Sequence, residues 1–493
     1  MTRVSNIFAR SSVLYRNTPR NYRRFRLHSP LWESNKLHLE NKVGVLVFSR
    51  KRPGFDQEWS KVVRQQAKDI LARQGYDIVG ADTTVNDEET VTSAVETIIA
   101  AGCCALVILQ PSIADGHFVF TIIQRWPGPL VLWTTPERAG DGKVSSCGLV
   151  GQNLFASILR QADRPFELVY GLPNGSLENS IPELNRAILL SRAFMALRRS
   201  KVGLIGAHVP GFVDLAADPF LIHKTFGMQL HTLSLVQFIE RVQALSAGEV
   251  HADVAKTQAL GLPQSDPELK VEPDAFLSNT SRFYLAIRQV MAEFALSALA
   301  VQCWPELPNT VGHWPYLAVS RLSSEGEAVS IEGDVDGAIG AFLGLQLGAG
   351  TGFLTDWLEH DDTTIQFWHP GMAPLDMCNE PGCDEGPTIG DHFNNIRPMV
   401  VDGPIRTGGP VTVARIWRCR GRYHITAFDG QAIPPRRKLT GNTLLVEFPG
   451  GGIADRFQRL AQAGMPHHVT VYFGVHAETF RRLARILDLE WHA

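Results

Sequence analysis

Val43-Gly44-Val45-Leu46-Val47-Phe48 is the stretch on which the reading of the fold turns. It is short, rich in β-branched and apolar side chains, and lacks the polar–apolar alternation of a strand with one wet face. It therefore reads as a strand buried on both faces of a parallel sheet. Outward from it, 56–73 reads as helix, Asp77-Ile78-Val79 as a short strand and 88–101 as helix. Cys104-Ala105-Leu106-Val107-Ile108-Leu109 is a second buried strand, 116–126 is helical, and Pro129-Leu130-Val131-Leu132-Trp133 is another strand. Strands alternating with helices predict a doubly wound parallel sheet.

The pattern then repeats. Phe166-Glu167-Leu168-Val169-Tyr170 and Lys201-Val202-Gly203-Leu204-Ile205-Gly206 are strands separated by a helix over 181–199, and a long helix is expected over 274–302. Past Asp356 the texture changes to short β-rich runs between Gly- and Pro-rich turns, among them Val411-Thr412-Val413-Ala414 and Val469-Thr470-Val471-Tyr472-Phe473, with a closing helix over 477–487. That texture predicts an antiparallel barrel or sandwich. The expected fold class is α/β: two Rossmann-like parallel α/β domains followed by a C-terminal, mostly antiparallel, β-barrel-like domain. The expected boundaries are a basic extension over 1–41, an N-terminal α/β domain over 42–170, a central one over 171–355 and the β-rich domain over 356–493.

A chain of 493 residues with 44% hydrophobic and 20% charged residues has ample core for several domains. Its formal charge of −3 argues against a nucleic-acid partner, and no apolar run is long enough to span a bilayer. Seven cysteines in so long a chain do not make a secreted disulfide framework, so a reducing, cytoplasmic setting is expected. The first 26 residues hold seven arginines and no acid. That is the style of an organelle transit peptide, with a plain basic tail as the simpler reading.

Candidate chemistry lies in the C-terminal third. Glu332 follows the strand-like Ala328-Val329-Ser330-Ile331, at a strand's C-terminal end, where α/β folds place ligand chemistry. Asp334 and Asp336 open a Gly- and Ala-rich helix, where acids cap and favour the dipole. Asp356 sits in Leu354-Thr355-Asp356-Trp357, behind a Gly-rich stretch that lacks the Lys and spacing of a phosphate loop. His369 precedes Pro370-Gly371. His467-His468 opens a strand, so only one of the pair is expected to face a given site. Two carboxylates and an imidazole make a mostly oxygen site that Mn²⁺ or Mg²⁺ accepts. Cys378 and Cys383, with His392 nearby, form an incomplete zinc pattern. Arg50-Lys51-Arg52 follows the first strand, where a loop of cations is placed to meet a phosphate, a sulfonate or an acidic neighbouring subunit, with a solvated basic loop as the plainer reading.

Together, Ile331-Glu332-Gly333-Asp334-Val335-Asp336-Gly337-Ala338, Thr355-Asp356-Trp357, Phe367-Trp368-His369-Pro370-Gly371-Met372-Ala373-Pro374 and Pro466-His467-His468-Val469 resemble the L-fucose isomerase/L-arabinose isomerase superfamily, and especially its L-fucose isomerase-like branch. Arg52-Pro53-Gly54-Phe55-Asp56 and Ser146-Cys147-Gly148 fit as well, and the likeness runs over about 42–490. The resemblance implies a homo-oligomer, a hexamer or trimer, with Mn²⁺ or another divalent cation such as Mg²⁺ or Co²⁺. It implies interconversion of an aldose and a ketose, with Glu332 and Asp356 as metal ligands and proton-transfer residues and His468 as a further ligand. His369 looks like the fourth ligand of the arabinose-isomerase branch, a position at which the fucose branch carries no histidine. Trp368 and Arg52 are candidate sugar contacts.

The reaction so implied acts on a free, L-fucose- or D-arabinose-like monosaccharide. One carboxylate takes the C2 proton, a cis-enediol forms, and the other acid shuttles protons between the oxygens and returns one to C1. Two alternatives stand beside it. One is a non-catalytic sugar-binding protein, which has no use for converging metal ligands. The other is an isomerase of a modified anionic sugar, for which Arg50-Lys51-Arg52 speaks.

Overall fold

The computed structural model describes residues 41–48, 55–140, 142–171, 179–265, 273–394 and 397–493. The expected basic extension, apart from Asn41, and the Arg50-Lys51-Arg52 loop lie outside the described residues. Two parallel sheets and a barrel make up the fold.

The first sheet runs Asp77–Val79, Lys42–Phe48, Ala105–Leu109, Leu130–Thr134, Phe166–Tyr170, all parallel, with Thr84–Val85 pairing the far end of Lys42–Phe48. Its central strands are buried on both faces, as their unbroken apolar runs require. Helices cover it because their sequences carry both the cap and the stripe. In Gln57–Arg73 the Asp56 side chain accepts from Trp59 N, and Val63, Ala67, Ile70 and Leu71 form the buried face. In Glu88–Ala100 a capping box of Asp87 and Thr90 starts a helix that buries Val91, Ala94, Val95 and Ile98.

The second sheet, also parallel, runs Ala328–Ile331, Ala298–Val301, Lys201–Ile205, Gln229–Leu233. Here one expectation is corrected. The helix foreseen over 274–302 is helix Pro273–Glu293, a turn with Ala295 in the left-handed region (φ 50°), and the buried strand Ala298–Val301. The segment after 293 is apolar and free of Gly and Pro, so composition alone does not separate a helix end from a buried strand.

At the C-terminal end Phe353–His360, Thr364–His369, Asn442–Glu447, Arg422–Ile433, Pro410–Cys419 and His468–Phe473 pair in that order, each antiparallel to the next. Arg422–Ile433 pairs both Pro410–Cys419 and Asn442–Glu447, so these six strands close into a barrel. Alternate residues fill its interior, among them Phe353, Phe367, Val413, Phe428, Leu444, Val446, Val469 and Val471. Leu354, one residue on from Phe353, packs instead with Ile331 and Val301 of the second sheet. The outer barrel face at Leu354, Asp356 and His468 therefore meets the C-terminal end of the second sheet, and the candidate site lies along that seam.

Among the described residues no helix is long and apolar enough to cross a membrane. All seven cysteines are free. Cys378, Cys383 and His392 form no grouping close enough to share an ion among the described residues.

Candidate active site

Glu332 leaves strand Ala328–Ile331 with a left-handed backbone (φ 60°), which a non-glycine residue adopts only at a cost. The surroundings hold it there. Its carbonyl oxygen accepts from Val209 N at 3.1 Å, and Gly333 N donates to Val301 O at 3.0 Å. A Cβ at Gly333 would overlap the Ala207 carbonyl, so the chain can pass only as glycine. The turn delivers a buried carboxylate to the seam.

Barrel register supplies the rest. Asp356 stands opposite His468 on one neighbouring strand and opposite Trp368 on the other. His468 Nε2 lies 3.2 Å from Glu332 Oε2 and 3.8 Å from Asp356 Oδ1. Glu332 and Asp356 thus each approach His468 Nε2, while the set whose ligand atoms all lie within 4.8 Å of one another takes in His467 and not Asp356. His369 closes strand Thr364–His369 and is buried, with its ring centroid 5.7 Å from that of His468. Trp368 donates from Nε1 to Thr440 O at 2.8 Å and meets Phe393 edge-on at 5.0 Å. His392, stacked on Trp314 at 4.0 Å, continues this aromatic wall. Arg52 lies outside the described residues. Trp357 packs among Phe367, Phe428 and Phe457.

Behind the donors lies a buried charged chain. Asp334 caps helix Val335–Gln346 through Gly337 N at 2.9 Å, as its position predicts. The same carboxylate takes a two-point pair from Arg415, at 2.7 and 3.0 Å, and lies 3.0 Å from His468 Nδ1. An ionised carboxylate can only accept, so Nδ1 carries the proton and Nε2 faces Glu332 and Asp356. Asp336 pairs with Arg418 at 3.0 Å and accepts from Tyr423 Oη at 2.9 Å.

His467 corrects the expectation that only one of the two histidines faces the site. The strand begins at His468, so His467 still belongs to the preceding turn and escapes strand alternation. Its Nδ1 lies 2.7 Å from Asp214 Oδ2 and its Nε2 4.0 Å from Glu332 Oε2, and Phe212 packs against the ring at 4.7 Å. Asp214, on the short 3₁₀ turn Val213–Leu215, carries no motif in the sequence.

Burial alone would lower the His468 imidazole, but the Asp334 and Glu332 carboxylates outweigh it and push it up to about 10. Burial raises Glu332, yet His467 and His468 more than offset that and hold it well below the usual carboxylate range. Asp356 is raised, by burial first and by the Glu332 charge. His369 is pushed down to about 3 by burial and stays neutral.

The donor set suits a divalent cation. His468 Nε2, His467 Nε2 and His369 Nδ1 are all buried without a hydrogen-bond partner, and such atoms cost free energy unless something takes them up. Ligand atoms of Glu332, His467 and His468 fall within 4.8 Å of one another. Mixed carboxylate and imidazole donors, with a carboxylate fixing the far side of His468, fit Mn²⁺, Co²⁺ or a similar ion.

No protein-family model matches the chain. It is 26% identical to the sulfoquinovose isomerase of Priestia aryabhattai over 445 residues, 89% of this chain and 96% of that one. It is 24% identical to the sulfoquinovose isomerase of Alkalicoccus urumqiensis over 452 residues, 90% and 98% of the two chains. The L-arabinose isomerase of Clavibacter sepedonicus is 22% identical over 326 residues, 64% of this chain and 63% of that one. The expectation of an enzyme, an isomerase rather than a sugar-binding protein, is borne out by these likenesses: along most of its length the chain is similar to sugar isomerases.

Proposed function

We propose that the protein is a divalent-metal-dependent aldose–ketose isomerase acting on an anionic, sulfonated aldose of the sulfoquinovose type. In this reading Glu332, Asp356 and His468 hold the ion, with His369 and His467 as further imidazole donors. The observation that carries it is His468 Nε2, 3.2 Å from Glu332 Oε2 and 3.8 Å from Asp356 Oδ1, with its ring fixed from behind by Asp334. Held by these residues, a divalent ion would supply Lewis acidity toward the sugar carbonyl and the adjacent C–H. Glu332 and Asp356 move the protons: one carboxylate takes the proton from C2 of the open-chain aldose while the other, as its acid, gives one to O1, and from the enediol so formed the second takes back the O2 proton while the first returns its own to C1. Trp368 and the His392–Phe393 wall bound the sugar and exclude water. The near full-length likeness to sulfoquinovose isomerases favours a sulfonated sugar over the neutral L-fucose- or D-arabinose-like one.

The test is ketose formation by the chelator-treated chain, with and without Mn²⁺, Mg²⁺ or Co²⁺, across sulfoquinovose, glucose, L-fucose, D-arabinose and L-arabinose. Turnover is expected only with metal and best with the sulfonated sugar. Glu332→Gln and Asp356→Asn are each expected to lose about 100-fold or more in kcat while keeping the fold. Normal turnover by either variant, or by the metal-free chain, refutes the assignment. A neutral sugar turned over best refutes the substrate class alone.

A further inference from the structure

A second set of donor atoms gathers on the barrel, apart from Glu332. Strand Arg422–Ile433 pairs in parallel with Glu490–His492, which sets His424 opposite Glu490 and Thr426 opposite His492. His424 Nδ1 lies 2.9 Å from His492 Nε2 and 3.7 Å from Glu490 Oε2. One ligand atom from each of the three residues falls within 4.8 Å of the other two.

The tautomer of His424 follows from its other side. His424 Nε2 is 3.2 Å from the Cys419 carbonyl oxygen, which can only accept, so Nε2 carries the proton. The Nδ1 lone pair is thereby turned toward His492 and Glu490. A histidine that donates its second N–H to a backbone carbonyl is the usual supported form of an imidazole ligand. The Trp417 indole lies against both rings, at 5.4 Å from His424 and 5.1 Å from His492, and forms an apolar floor. Thr426 Oγ1 donates to the His492 carbonyl at 2.9 Å and fixes the third strand residue in place. His424 is buried and Glu490 is exposed, so the group is anchored within and open to solvent at one side.

We propose that His424, His492 and Glu490 form a second divalent-cation site, of the zinc class. Two imidazoles and one carboxylate, with a fourth position left for water, are a borderline-soft tetrahedral set. In the metal-free form His492 Nε2–H bonds to His424 Nδ1. On loading, the His492 proton moves from Nε2 to Nδ1, which frees Nε2 to bind beside His424 Nδ1. The site does not depend on the isomerase reading.

The test counts zinc on the full chain carrying Glu332→Gln and Asp356→Asn, stripped with chelator and dialysed against Zn²⁺, with and without His492→Gln. One zinc fewer per chain is expected when His492 is replaced, and equal counts overturn the proposal. Should His492→Gln fail to fold, Glu490→Gln alters only an exposed side chain. It is expected to weaken zinc binding by about tenfold or more, and unchanged affinity overturns the proposal. Isomerase turnover by Glu490→Gln in the otherwise unaltered chain is expected to stay at the parent level, so loss of zinc and loss of catalysis read out separately.

Discussion

Asp334 carries three loads at once: the cap at Gly337 N, the two-point pair with Arg415 and the proton of His468 Nδ1. Asp334 and Arg415 are both almost fully buried. Asp334→Ala leaves a guanidinium without a counter-charge in the interior, which costs about 3–5 kcal/mol. Asp334→Asn removes the charge and keeps one acceptor, for Gly337 N or for His468 Nδ1 but not for both, since these meet different carboxylate oxygens. We expect both variants to unfold at lower denaturant, Ala more than Asn, and both to bind metal more weakly. Unchanged midpoints in chemical denaturation would show that the chain Arg415–Asp334–His468 contributes nothing. The cap was legible in the sequence, because an acid just ahead of a helical run is a local signal, and Asp334 directly precedes Val335-Asp336-Gly337-Ala338. The other two loads were not, since Arg415 lies 81 residues away and His468 134. Glu332, Asp356 and His468 were reachable only as a set resembling known motifs. Asp214 was not reachable at all, since its use depends on a turn packing beside His467.

At the scale of the element, helix Val335–Gln346 explains why its sequence is so rich in glycine. It lies against barrel strand His468–Phe473, with Tyr472 Oη donating to Gly340 O at 2.8 Å. A Cβ at Gly344 would overlap both the Gly350 carbonyl oxygen and the Tyr472 ring. Gly344→Ala gains about 1 kcal/mol of helix propensity. It also forces a backbone carbonyl and a packed aromatic to move, at a cost of about 1–3 kcal/mol. Because backbone is the obstacle, the packing loss is expected to win. Thermal unfolding of Gly344→Ala is expected at a lower temperature, with weaker turnover, since the same helix is capped by Asp334. A raised melting temperature would mean that the helix slides without penalty. The strands of the first sheet were legible because burial on both faces leaves an unbroken apolar run. Ala298–Val301 was misread as helix because a four-residue strand after a helix carries no period of its own.

At the scale of the whole molecule, closure of the barrel and its contact with the second sheet decide where everything else falls, and neither is written in any one segment. The strand texture predicts an antiparallel domain, but only the pairing of Arg422–Ile433 with both Pro410–Cys419 and Asn442–Glu447 closes it. Closing the core also buries imidazoles, with a consequence for acid stability. Burial pushes His313 and His369 down to about 3 and His392 to about 4. Their ordinary value is 6.5, so below that pH the unfolded chain takes up protons that the folded chain refuses. Stability from these groups is whole above 6.5 and is lost as pH falls toward their folded values, at about 1.4 kcal/mol per pH unit for each ring. His468 has the opposite sign: raised to about 10, it stabilises fully below 6.5 and loses that steadily as pH rises from 6.5 to about 10. Glu332 and Asp334, held below their ordinary 4.5 and 3.8, lose their contribution only under stronger acid. Between pH 6.5 and about 4.5 three buried neutral rings lower stability as pH falls, against the opposite pull of Asp356 and Asp336, whose carboxyls burial raises. In the presence of chelator, urea unfolding is expected to show stability falling across that window. His313→Gln, which keeps a partner for Thr280 Oγ1, is expected to flatten the slope by one proton's worth. A stability that is level from pH 6.5 to 4.5, or a slope that His313→Gln leaves untouched, would mean that these rings are protonated in the folded chain and that the core around them admits charge.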